Sequence, residues 1–146
     1  MATPYLSAIG TADGWRGYGN GKMPADKLCR IAPGHKLRCD AAAAYEKLAV
    51  AYEARFQTKL CITDSYRSYR AQVDLLRRKP DLAAVPGTSN HGWGLAVDLC
   101  DGINDFGTPQ HEWMVANAES YGWVHPEWAG EGGSRQEPWH WEFSPG

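Results

Sequence analysis

Apolar residues between positions 41 and 56 recur at three- and four-residue steps, as Tyr45, Leu48, Tyr52 and Phe56. That period predicts a helix from Ala41 to Phe56 with one apolar stripe, and Asp40 is placed to cap it. From Lys59 to Thr63 the period shortens to two: Leu60 and Ile62 face one way, Cys61 and Thr63 the other, which predicts a strand. A turn follows at Asp64-Ser65-Tyr66-Arg67, then a helix from Ser68 to Arg78 that must stop before Pro80. Residues 80–90 read as a loop. Leu95 to Leu99 alternates again, with Leu95, Val97 and Leu99 opposite Ala96 and Asp98. Thr108-Pro109 marks a helix start and Gly122 a stop, giving a helix up to Tyr121 and a short strand at Trp123 to His125. Residues 129–136 are glycine-rich and expected to be mobile. A last strand, Trp139 to Phe143, turns Trp139, Trp141 and Phe143 one way and His140 and Glu142 the other. There are no internal repeats. The pattern is α+β: a small, largely antiparallel sheet with helices on its aliphatic face.

At 146 residues the chain can bury a core of its own and reads as one domain, with residues 1–24 an irregular arm and 25–146 the folded unit. A formal charge of −2 gives no electrostatic reason for nucleic acid or an anionic membrane as partner. No apolar run approaches the roughly 20 residues that span a bilayer. Met1 to Gly10 carries no signal-peptide pattern, which suggests a cytosolic protein or a trimmed form.

The four cysteines, Cys29, Cys39, Cys61 and Cys100, lack the spacing of a zinc knuckle. Of three possible pairings, Cys29–Cys39 with Cys61–Cys100 is favoured, the second tying two strands together. Four reduced, buried thiols are the alternative. Paired cysteines point to an oxidising compartment.

The chemistry concentrates in Ser89 to Asp98 and in Glu137-Pro138-Trp139-His140. Strand parity sends Asp98 and His140 to the non-aliphatic faces of their strands, and neighbouring strands would bring them together. His91 comes from the loop before the first of them, which Gly92 and Gly94 let fold back closely. Two histidines and an aspartate suit Zn2+ and leave a fourth position for water. Glu137 is near enough in sequence to His140 to act as the base for that water. Each piece alone has an ordinary structural reading; the agreement of strand parity with a nearby base favours the catalytic one. His35, His111 and His125 read as structural or peripheral. Four of the seven tryptophans, Trp93, Trp123, Trp139 and Trp141, flank the candidate site or its approach.

Ser89 to Asp98, as Ser-x-His-x-x-Gly-x-Ala-x-Asp, followed by Glu137-x-x-His140, resembles the zinc D-alanyl-D-alanine carboxypeptidases of the VanY type. Asp64-Ser65-Tyr66-Arg67-Ser68 with Gln72 is similar to that family's Gly-Tyr-Arg-Ser-x-x-x-Gln segment, with Ser65 in place of the common glycine. The resemblance covers residues 20 to 143. It implies His91, Asp98 and His140 as zinc ligands, Glu137 as catalytic base and Arg67 as the cation that steadies the oxyanion. It places Ser89 and Gln72 near the substrate's terminal carboxylate and Trp139 in the pocket wall. The implied substrate is a peptidoglycan stem peptide ending in D-Ala-D-Ala, met outside the cell membrane by a monomer. Two other readings stay open: an endopeptidase of the lysin type that cuts L-Ala–D-Glu bonds, and a zinc-containing binding module without catalysis. Glu137 separates the last from the first two, because a module that only binds has no need of a base there.

Overall fold

The computed structural model describes residues 18–81 and 83–144. The irregular arm expected over residues 1–24 lies outside the described residues as far as residue 17. Residues 18–24 close against the rest of the chain, with Asn20 and Met23 buried.

Strands β1 (Leu28–Ala32) and β2 (His35–Arg38) form an antiparallel hairpin. Its turn is Pro33-Gly34, with Gly34 at φ 78°, a conformation open to glycine at little cost. The sequence reading saw only a disulfide loop here, because Arg30 and Lys36 leave little apolar alternation. Helix α1 (Cys39–Phe56) starts one residue before Asp40. Asp40 is therefore in the first turn: its Oδ1 accepts from the Ala41 N–H at 2.9 Å, and its carboxylate takes a two-pronged bond from Arg38. The Cys29–Cys39 bridge sits at this junction.

Strand β3 (Ile62–Asp64) is followed by helix α2 (Tyr69–Arg78), capped by Ser68, whose Oγ accepts from the Ala71 N–H at 3.1 Å. Then come strand β4 (Ala96–Leu99), helix α3 (Pro109–Asn117), strand β5 (Trp123–Val124) and strand β6 (His140–Phe143). Thr108 caps α3 and Pro109 opens it, as expected, while the helix tightens to a 3-10 turn over Ala118–Tyr121 before Gly122. The four strands β3-β4-β6-β5 make one antiparallel sheet. With its helices this is the α+β fold read from the sequence.

The core lies on one face of that sheet. Tyr45, Leu48 and Tyr52 of α1 meet Val97 and Leu99 of β4, Trp141 and Phe143 of β6, Trp123 of β5 and Met114 of α3. Tyr45 meets Trp123 edge to face, with centroids 6.2 Å apart. Each aliphatic side chain fully buried here contributes roughly 1.5–3 kcal/mol. Helix α2 stands apart from this layer: its one buried residue is the polar Gln72. Both disulfides form as favoured, Cys29–Cys39 and Cys61–Cys100, and the second joins the chain next to β3 to the end of β4. Among the described residues no helix is long and apolar enough to cross a membrane.

Candidate metal centre

The sheet register decides the site. Strands β4 and β6 pair with Asp98 opposite His140, Val97 opposite Trp141 and Ala96 opposite Glu142. Val97 and Trp141 fill the core, so side-chain alternation turns Asp98 and His140 together to the other face. His91 arrives on a 3-10 turn, Asn90–Trp93, capped by Ser89, whose Oγ accepts from the His91 N–H at 3.1 Å. Gly92 lets this turn press inward: a Cβ there would sit 1.8 Å from Asn20 Oδ1. The candidate ligand atoms of His91, Asp98 and His140 all lie within 4.8 Å of one another.

The two imidazoles are prepared in matching ways. His91 donates its Nδ1–H to the Ser65 carbonyl at 2.8 Å, which leaves Nε2 facing Asp98 Oδ1 at 3.2 Å. His140 gives its Nε2–H to Glu142 at 2.8 Å, which leaves Nδ1 facing the same Asp98 oxygen at 3.1 Å. Both rings are almost fully buried, at 3% and 5% exposure. Two imidazole nitrogens and a carboxylate oxygen, each ring fixed from behind, form a donor set that suits Zn2+ and would be unusual for Mg2+ or Ca2+.

Charge around the trio is strongly coupled. Burial alone would raise the Asp98 carboxyl, but the His91 charge and the hydrogen bonds from His140 and His91 hold it well below the usual carboxylate range. Burial would likewise lower His140, but its bonds to Asp98 and Glu142 outweigh that and push it up to about 9.

Glu137 stands beside this group, its Oε1 4.0 Å from His140 Nδ1 and its Oε2 3.1 Å from Arg135 Nε. Burial raises its carboxyl above the ordinary value, against the pull of His140 and Arg135. Its backbone is clamped: its N–H donates to the Ala129 carbonyl, and its carbonyl accepts from the His140 N–H and from His125 Nε2. Trp128 lies beside His140, with ring centroids 5.3 Å apart.

The remaining predicted residues divide. Arg67 is brought near: its N–H donates to the His91 carbonyl at 2.9 Å, and its guanidinium forms an ion pair with Asp64 through Nε at 2.9 Å and through Nη2. Ser89 caps the turn that carries His91, and its carbonyl accepts from Asn20 Nδ2 at 2.7 Å. Gln72 is 2% exposed, and its amide is used internally. It donates to Asn20 Oδ1 and to the Arg67 carbonyl and accepts from the Gly87 N–H. Trp139 is half-buried, and its carbonyl accepts from the Leu99 N–H.

Asp64, Ser65 and Glu142 also belong to this neighbourhood, with Asn20, Trp128 and Arg135, and His125, expected to be structural or peripheral, supports Glu137. Alternation does put Glu142 on the face of His140, and that signal was available. Asp64 acts through its carboxylate on Arg67, His125 through its ring on the Glu137 carbonyl and Ser65 through its carbonyl on His91, contacts that no spacing rule exposes.

Residues 34–146 match the family model described as VanY, D-alanyl-D-alanine carboxypeptidase. A 64-residue stretch is 39% identical to a D-alanyl-D-alanine carboxypeptidase of Enterococcus faecalis (strain ATCC 700802 / V583), covering 41% of this chain and 24% of that one. The match therefore spans about a quarter of the curated relative's length. Among solved structures, VanYB in complex with D-alanine-D-alanine superposes with a TM-score of 0.66 at 24% identity, over 84% of this chain and 81% of that one. The vancomycin resistance D,D-pentapeptidase VanY in complex with Zn(II) gives 0.64 at 24% identity, over 84% and 83%. The LdcB LD-carboxypeptidase gives 0.65 at 24%, over 84% and 70%. At these identities the structural likeness establishes the fold.

Proposed function

The chain belongs to the VanY D-alanyl-D-alanine carboxypeptidase family, and from that premise we propose that it is a zinc metallopeptidase of peptidoglycan stem peptides, removing the terminal D-alanine from a D-Ala-D-Ala end. The observation that carries this reading is the convergence of His91, Asp98 and His140 within 4.8 Å, with the Glu137 carboxylate beside them. We read residues 25–146 as the peptidase domain and its place of action as outside the cell membrane, at the wall. The two disulfides support that location.

His91 Nε2, His140 Nδ1 and an Asp98 oxygen would hold the metal. Zinc, when bound, supplies a Lewis acid and brings the pKa of water from ~15.7 to ~7. Glu137 takes the proton from the attacking water on its carboxylate and delivers it to the leaving amine of the released residue. A carboxylate whose proton affinity burial has raised is suited to both halves of that transfer. Arg67, oriented by Asp64, offers guanidinium N–H groups to the oxyanion that forms at the scissile carbonyl. Gln72 acts by support: it fastens the loop at Gly87 and Asn20 to the residue that precedes α2's cap.

The test is mass spectrometry of the products from a defined muropeptide pentapeptide ending in D-Ala-D-Ala and from the matching tetrapeptide. The reading expects loss of one alanine. Release of alanine from the tetrapeptide alone would make the protein an L,D-carboxypeptidase. A cut between L-Ala and the second residue would make it an endopeptidase. An unchanged substrate with zinc bound would leave the binding-module reading.

A further inference from the structure

Among the described residues outside the trio and Glu137, one acidic side chain is buried. Glu142 lies two residues after His140 on β6 and turns to the same face, yet it is 8% exposed. A carboxylate this deep needs partners. It has one in the His140 ring, whose Nε2 lies 2.8 Å from its Oε2, and that ring and the nearby Asn90 side chain favour its charged form. Asn90 opens the turn that carries His91. Glu142 is therefore bonded to the histidine of the strand and lies near the turn that bears the other one. It sits behind the His140 ring, on the nitrogen that looks away from Asp98, so it is not placed to exchange a proton with a substrate over the trio.

The geometry points to Glu142 as the positioning residue of the metal centre: it fixes the proton of His140 on Nε2 and presents the Nδ1 lone pair beside Asp98. This rests on reading the trio as a zinc site. The Ser65 carbonyl does the equivalent for His91, but as a backbone group it cannot be removed by substitution. Glu142 is the half of the arrangement that a single side chain supplies. A carboxylate behind a metal-binding imidazole fixes its tautomer and strengthens it as a donor, and removing such a partner typically weakens metal affinity about 10- to 100-fold.

The experiment is a chelator competition for Zn2+ on the full chain, stripped of metal, for wild type, Glu142→Ala, Glu142→Gln and His140→Ala. Glu142→Ala should bind zinc about 10- to 100-fold more weakly than wild type. Glu142→Gln keeps an oxygen acceptor and should fall between the two. Long-range nitrogen–proton NMR of the zinc-loaded wild type should find the His140 proton on Nε2, a readout independent of whether any variant folds. A proton on Nδ1, or wild-type zinc affinity in Glu142→Ala, overturns the inference. If wild type takes up no zinc, or His140→Ala takes it up equally well, the zinc reading itself fails. If His140→Ala is impaired and Glu142→Ala is not, only the role of Glu142 fails.

Discussion

Replacing the two disulfides separately, as Cys29→Ala with Cys39→Ala and as Cys61→Ala with Cys100→Ala, should cost unequal amounts of stability. The bridges close separate loops, with sequence separations of 10 and 39. Loop-closure entropy in the unfolded chain then gives about 2.7 kcal/mol for the first and about 3.9 kcal/mol for the second. For a chain of this size each kcal/mol moves Tm by about 2–4 °C. The expected drops are about 5–11 °C and about 8–16 °C. The folded state should survive both changes. Beside the second bridge the Cys100 N–H still donates to the Cys61 carbonyl at 2.8 Å, and Ile62 still pairs with Leu99. The assay is thermal unfolding of the metal-free forms by circular dichroism and calorimetry, in parallel with an oxidised wild type. A smaller loss from the 61–100 pair than from the 29–39 pair would refute the reasoning, since no loop-entropy account ranks them that way.

Three further outcomes are expected. Gln72→Ala strands the Gly87 N–H and Asn20 Oδ1 and should cost about 2–4 kcal/mol in denaturant unfolding; wild-type stability with a large rise in KM would instead make Gln72 a substrate contact. Gly92→Ala forces a methyl into Asn20, which Ser89 and Gln72 hold in place, and should cost about 1–3 kcal/mol and weaken zinc binding; a neutral result would show that the turn has slack. Because the folded-state pKa of His140 is raised from 6.5 to about 9, its contribution to the metal-free protein is fully present below pH 6.5 and disappears as pH climbs through 9. The stability gap between wild type and His140→Ala, measured by chemical unfolding across pH 6–10, should therefore narrow toward the alkaline end, and a gap that widens there would contradict the shift.

Alternation made the site legible before the helices were certain. Leu95, Val97 and Leu99 claim the core, which leaves Asp98 no choice of face, and the same parity argument turns His140 away from Trp141. The register that sets Asp98 opposite His140 was not in the pattern, because the two strands are joined by a long connection that itself carries α3 and β5. The hairpin at Leu28–Ala32 and His35–Arg38 escaped because its exposed faces carry Arg30 and Lys36 and its strands are short, although Pro33-Gly34 signalled a turn. The start of α1 was placed two residues late, since Asp40 has a cap's chemistry but sits inside the first turn next to the Cys29–Cys39 bridge. Gln72 shows a different limit. Its residue type suits a ligand contact, and only the three-dimensional structure reveals that Asn20, Arg67 and Gly87 already use its amide.

The central claim is that Glu137 moves the proton while His91, Asp98 and His140 hold the metal. Glu137→Ala isolates it, because the bonds to Ala129, His125 and His140 that fix this segment all run through the Glu137 backbone and survive the change. The measurement is the rate of D-alanine release from a D-Ala-D-Ala pentapeptide by Glu137→Ala loaded with one zinc per chain. Zinc should be retained and the rate lowered by about 10²–10⁴. Wild-type turnover with zinc retained would contradict it.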